Sequence, residues 1–222
     1  MSTESIELLN NQLVEAIQNG DTNGVVCLVK QGADANFRVC TDYFFGGMYL
    51  YPPLIYAVNP MCKNKLSVIH TLIEHGADVN IESEENEFNT STTTPLINAA
   101  KFGDIDTVDL LVRNKADVNK FNNSCNTPLI VAAQIDGNPT LEYLLNHGAN
   151  IDHQNKYGQT ALLTAAYNNA NLNLTTLLKY NPNPLIKDND GYSAIAILEK
   201  NRNPLSNQMS SYIIKRSNYN NN

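Results

Sequence analysis

The sequence predicts an all-α solenoid of about six helix-turn-helix units joined by β-hairpin fingers. Three observations predict it. A Gly-Ala-Asp-x-Asn string occurs at residues 32–36 and 76–80, with weaker copies at 115–119 and 148–152 and a degenerate one at 181–185. A Thr-Pro-Leu string occurs at 94–96 and 127–129, with variants at 52–54, 160–162 and 193–195. Both keep one period. Pro95 to Pro128, Pro128 to Ala161 and Ala161 to Ala194 are 33 residues each, as are Lys115 to Gly148 and Gly148 to Asn181. A fixed period of this kind marks stacked units, each burying its apolar face against its neighbours.

Each element follows from local chemistry. Thr or Ser caps the first helix, and Pro fits its first turn, where the missing N–H costs nothing. The helix is short and apolar, with Ala99-Ala100, Ala132-Ala133 and Ala165-Ala166 small enough for neighbours to close up. A turn follows at Gly103-Asp104 or Asp136-Gly137. The second helix carries an apolar stripe: Val108, Leu110, Leu111 and Val112, then Leu141, Leu144 and Leu145, then Leu174, Leu177 and Leu178. A glycine then supplies a left-handed C-cap. An extended segment and a tight turn, such as Asp188-Asn189-Asp190-Gly191, lead to the next unit.

The units run at about 5–36, 37–80, 81–119, 120–152, 153–185 and 186–214, followed by a tail at 215–222 expected to be disordered. The first unit lacks Thr-Pro-Leu, but Leu13, Ala16, Gly20 and Gly32 keep its phase. Its Glu4, Glu7, Asn10, Asn11, Glu15 and Gln18 suit a polar N-terminal cap. The last unit, with a helix at 194–200 and the apolar Tyr212-Ile213-Ile214, reads as the C-terminal cap.

Two insertions stand out. Gly32 to Pro53 is 21 residues against a regular 13, and Gly76 to Pro95 is 19. A third, smaller one lies near Met61. Inserted residues in repeats map to loops, often on the binding face. The first long finger holds Tyr43, Phe44, Phe45, Met48, Tyr49 and Tyr51; the second holds Glu82, Glu84, Glu85, Glu87 and Phe88. An aromatic finger beside an acidic one suits a protein ligand with an apolar anchor and a basic flank. The same residues also fit a cover over the first two units and a solvated loop.

Helix, turn, helix and hairpin at this period, with Thr-Pro-Leu-x-x-Ala-Ala and Gly-Ala-Asp-Val-Asn, resemble the ankyrin repeat over roughly residues 5–214. The resemblance implies a non-catalytic protein-binding scaffold or adaptor. It implies a groove lined by Lys101, Phe102, Gln134, Ile135, Tyr167 and Asn168. It also implies contact tips at Asn122, Asn123, Cys125, Asn155, Lys156, Tyr157, Asp190 and Tyr192. Phe102, Ile135, Tyr157 and Tyr167 are the candidate contacts singled out from these sets. Asn80 and Asn119 each end an Asp-Val-Asn triplet with Leu72 and Leu111 eight residues upstream. This is similar to ankyrin sites modified by an asparaginyl hydroxylase, which would make the chain a substrate. Alternatives are a substrate-receptor subunit of a ubiquitin ligase, docking through 203–216, and a structural spacer. The abundance of Asn resembles ankyrin proteins of large DNA viruses or intracellular parasites, for which a host cytoplasm would be the setting.

Other classes find little support. The net charge is −7 and no Lys/Arg cluster offers itself to phosphates, so no nucleic-acid partner is expected. No apolar run reaches the roughly 18–20 residues of a membrane span. The first nine residues carry Glu4 and Glu7 and no basic residue, unlike a targeting leader, so a cytoplasmic chain is expected, and the capped ends of the solenoid suit a monomer. Cys27, Cys40, Cys62 and Cys125 form no Cys-x-x-Cys pair and read as free thiols. His75 and His147 share one repeat position and read as framework. His70 and His153 have no partner at metal-ligand spacing. No catalytic, cofactor-binding or metal-binding set is recognised.

Overall fold

A computed structural model describes residues 3–41, 49–84 and 92–219. They fall into two compact units, residues 1–123 and 124–222. Unit 1 contains α1 (Thr3–Asn19), α2 (Thr22–Lys30), β1 (Val39–Thr41), β2 (Tyr49–Tyr51), α3 (Pro53–Ala57), α4 (Lys65–Glu74), α5 (Pro95–Phe102) and α6 (Ile105–Arg113). Unit 2 contains α7 (Pro128–Ala132), α8 (Thr140–Asn146), α9 (Ala161–Tyr167), α10 (Asn171–Lys179), α11 (Ala194–Lys200) and α12 (Ser206–Tyr219). Each odd helix packs on the even helix after it. Within unit 1, α1, α3 and α5 stack in one row and α2, α4 and α6 in another. Within unit 2, α7, α9 and α11 form one row, and α10 packs on α8.

The caps form as their sequences require. The hydroxyls of Thr94, Thr127, Thr160 and Ser193 accept the backbone N–H of Ile97, Ile130, Leu163 and Ala196, at 3.2, 3.3, 3.3 and 3.5 Å. Pro52, at the same position in the second repeat, caps nothing with its side chain. The three alanine pairs are buried, and so are Val108, Leu111, Leu141, Leu144, Leu174 and Leu177. Leu110, Val112, Leu145 and Leu178 are only half-buried, so the apolar stripe of each second helix is narrower than its sequence suggests.

The Gly-Ala-Asp-x-Asn string also decodes physically. Its first position is left-handed in every copy: Gly32 (φ 106°), Gly76 (94°), Lys115 (70°), Gly148 (86°) and Asn181 (55°). The repeat imposes the conformation, and glycine is only the residue that adopts it most cheaply. The Asp turns the chain. Asp34, Asp78 and Asp117 accept the backbone N–H two residues on, from Asn36, Asn80 and Asn119, at 2.8–2.9 Å. The Asn then clamps the following repeat. Asn36 accepts from Asp78 N–H at 2.7 Å and donates to Gly76 C=O at 2.9 Å; Asn80 accepts from Asp117 N–H at 2.8 Å and donates to Lys115 C=O at 3.3 Å.

β1 and β2 pair antiparallel, with Val39 opposite Tyr51, Cys40 opposite Leu50 and Thr41 opposite Tyr49. In unit 2 a single antiparallel bridge, Lys187 to Ser193, marks the last finger. α12 runs on to Tyr219, so the tail boundary drawn at 215 falls inside a helix. Met209 buries itself there, and the Tyr212 hydroxyl reaches Pro182 C=O at 3.1 Å. Among the described residues no helix is long and apolar enough to cross a membrane.

Candidate partner-binding surface

Ion pairs join the inter-helix segments of unit 1. Arg38 Nε lies 2.9 Å from Glu84 Oε1, and Lys120 Nζ lies 2.8 Å from Glu82 Oε1. Ser83 and Thr93 exchange hydrogen bonds of 2.9 Å across the foot of the second finger. Asn123 and Thr92 do the same at 2.9 and 3.0 Å. Of the acidic finger, Glu82 and Glu84 are therefore already neutralised from within the chain. Tyr51 is half-buried in β2, and Tyr49 stands opposite Thr41. Tyr43, Phe44, Phe45, Met48, Glu85, Glu87 and Phe88 lie outside the described residues. Behind these segments, Lys65 donates to the half-buried Asp104, which also caps α6 through Thr107. Burial works against the Asp104 charge. The bonds from Lys65 and Thr107 and the Lys65 charge outweigh it and hold the carboxyl below its usual range.

In unit 2 amide side chains tie successive segments together. Asn155 Nδ2 donates to Asn126 Oδ1 at 2.9 Å, and His153 Nε2 lies 2.9 Å from Cys125 C=O. Gln154 donates to Gly158 C=O at 2.7 Å and Lys187 C=O at 3.1 Å. Asn189 binds the preceding tip twice: its N–H donates to Tyr157 C=O at 3.0 Å and its side chain to Lys156 C=O at 2.9 Å. Gly158 permits this approach, because a Cβ there would stand 2.7–2.8 Å from Asn189. Asn173, fully enclosed, donates to Ile135 C=O at 2.8 Å and accepts from Gly137 N–H at 3.1 Å.

The singled-out side chains divide between the units. Phe102 (47% exposed) ends α5 in unit 1. Ile135 (54%), Tyr157 (65%) and Tyr167 (39%) all belong to unit 2. The Tyr167 hydroxyl donates to Asp188 Oδ2, and that bond is the main reason its phenol is pushed up to about 12. Tyr192 (43% exposed) carries the Lys200 ammonium 5.3 Å from its ring centre. Sequence reasoning placed Asp190 and Tyr192 at a tip but missed the role of Asp188. The Asp-x-Asp-Gly spacing was the available signal.

Asn80 has both ends of its amide engaged, and Asn119, though exposed, is bonded as well. His75 and His147 act alike: each Nδ1 lies within 2.9 Å of the carbonyl four residues earlier, at the end of its helix. Cys27, Cys62 and Cys125 are free, and burial pushes the Cys62 thiol up. Among the described residues no three His, Cys, Asp or Glu side chains converge as a metal site would require.

Two family models match. One describes ankyrin repeats (3 copies) and covers residues 54–155; the other describes ankyrin repeats (many copies) and covers 136–178. No curated protein matches the chain.

Proposed function

The chain belongs to the ankyrin-repeat family, and from that premise we propose that it is a non-catalytic adaptor, binding a protein partner through exposed side chains on its repeat ends and fingers. Ankyrin repeats generally mediate protein–protein interaction. One observation carries the reading to particular residues. Phe102 and Ile135 follow the buried alanine pairs at one repeat position, 33 residues apart, yet about half of each stays in water. Tyr157 and Tyr167 are likewise exposed on rigidly bonded backbone. Leaving large apolar side chains in water gives up roughly 1.5–3 kcal/mol each, and a partner recovers it.

The test is capture of a binding protein by the full chain, beside a variant in which Phe102, Ile135, Tyr157 and Tyr167 are all alanine. A second variant removes eight residues between Arg38 and Tyr51 and six between Glu82 and Ser91. Circular dichroism checks that both remain helical. The expected result is one protein captured by the parent and lost from the alanine variant. Equal capture by all three forms rejects the proposed surface.

A further inference from the structure

We propose that the joined hairpin tips of unit 2 receive an arginine side chain of the partner protein, its guanidinium lying on exposed tyrosine rings and pairing with the Asp190 carboxylate. The inference rests on the protein-binding reading and adds the partner's chemistry.

A buried, uncompensated negative charge is the first reason. Asp188 is 7% exposed. Its Oδ1 accepts the N–H of Asp190 at 3.1 Å and of Tyr192 at 2.8 Å, and its Oδ2 accepts the Tyr167 hydroxyl. Among the described residues no cation comes within ion-pair distance of it. Dipoles hold this carboxylate but do not cancel its charge, so its field reaches the surface beside it. Asp190 adds a second carboxylate two residues on, exposed and unpaired among the described residues.

The rings are the second reason. Tyr192 and Tyr157 are exposed on this and the adjoining tip, Tyr167 is exposed at the end of α9 with its hydroxyl on Asp188, and an aromatic face attracts a cation. The chain already places the Lys200 ammonium over Tyr192. Rigidity is the third. The 188–192 turn is wrapped by Asp188 and tied to Tyr157 and Lys156 by Asn189, so little ordering remains to be done on binding.

Carboxylate and ring together select arginine over lysine. A guanidinium is planar, stacks on a ring and offers a fork of donors to a carboxylate, whereas an ammonium is a compact, strongly hydrated point charge. Lys156 and Lys187 flank the same turns. Recognition therefore depends on placing a carboxylate beside rings, not on net charge.

The probe is a randomised heptapeptide library panned on the full chain. Enriched peptides are then measured by fluorescence anisotropy with arginine kept, changed to lysine or changed to citrulline. Arginine is expected at one fixed position, and citrulline is expected to weaken binding about tenfold. Asp190→Asn should weaken it several-fold, and Lys200→Met should strengthen it by freeing the Tyr192 face. Circular dichroism of both variants should be unchanged. Peptides without arginine, equal affinity for the lysine form, indifference to Asp190→Asn, or no enrichment over a blank surface each overturn the inference. Enriched peptides that lack arginine and ignore Asp190→Asn, yet are lost from the alanine variant above, overturn this inference alone and leave the adaptor reading standing.

Discussion

In unit 1 the segments between successive helix pairs are held to one another by Arg38 to Glu84 and Lys120 to Glu82. In unit 2 the equivalent work is done by Gln154 on Lys187 C=O, Asn155 on Asn126 and Asn189 on Lys156 C=O. The difference has two consequences. Exposed ion pairs contribute little net stability and fade with salt, so unit 1 uses them mainly to set register. Amide ties are indifferent to salt. Asp190 in unit 2 keeps its carboxylate unpaired among the described residues, while Glu82 and Glu84 are consumed by ion pairs in unit 1.

The sharpest way to break the amide side of this comparison is Asn173→Ala. It removes the bonds to the Ile135 carbonyl and the Gly137 N–H, which lie in an exposed loop that water can reach, each worth about 0.5–1.5 kcal/mol, and it empties the buried amide site. Urea denaturation should show a loss of about 2 kcal/mol, with hydrogen exchange rising first in unit 2. A loss below about 1 kcal/mol would mean that water replaces the amide.

The ionic side is tested by Asp104→Asn, which keeps a cap for α6 but leaves the half-buried Lys65 unpaired. The expected loss is about 1 kcal/mol, since the pair is only partly shielded from solvent. Its pH dependence follows from sign. The folded carboxyl lies below its ordinary value of 3.8, so its contribution is present above that value and is lost as pH falls through the folded one. Native-state exchange in α4 and α6 should therefore show an acid-dependent component that the variant lacks.

The smallest effect compares one repeat position across the units. Lys115 in unit 1 holds the left-handed conformation that Gly148 holds in unit 2. Lys115→Gly should gain about 0.5 kcal/mol, the steric cost of the conformation less the entropy of glycine. Gly148→Lys should lose a similar amount, because a Cβ there meets nothing within 4 Å and only the backbone angle matters. The midpoint of thermal unfolding reads both.

The period, the caps and the left-handed turns were legible because each depends on one residue and its near neighbours. Thr94, Pro95 and Gly76 state their roles locally. Exposure of Phe102, Ile135, Tyr157 and Tyr167 was legible only through the family resemblance, since periodicity does not say which apolar residue faces water. Pairing was not legible at all. Glu84 read as an offered charge, and it is spent on Arg38, 46 residues away in the chain. Asp188 read as one more turn residue, and it anchors Tyr167 from beneath.

Sequence by itself thus determined the repeat, its phase and its helices, because caps, turns and apolar spacing act within a few residues. Tertiary structure alone decided which charges cancel and which remain. A charge is neutralised by whatever lies within about 4 Å of it, and for Arg38, Lys65 and Lys120 that neighbour comes from an adjoining repeat.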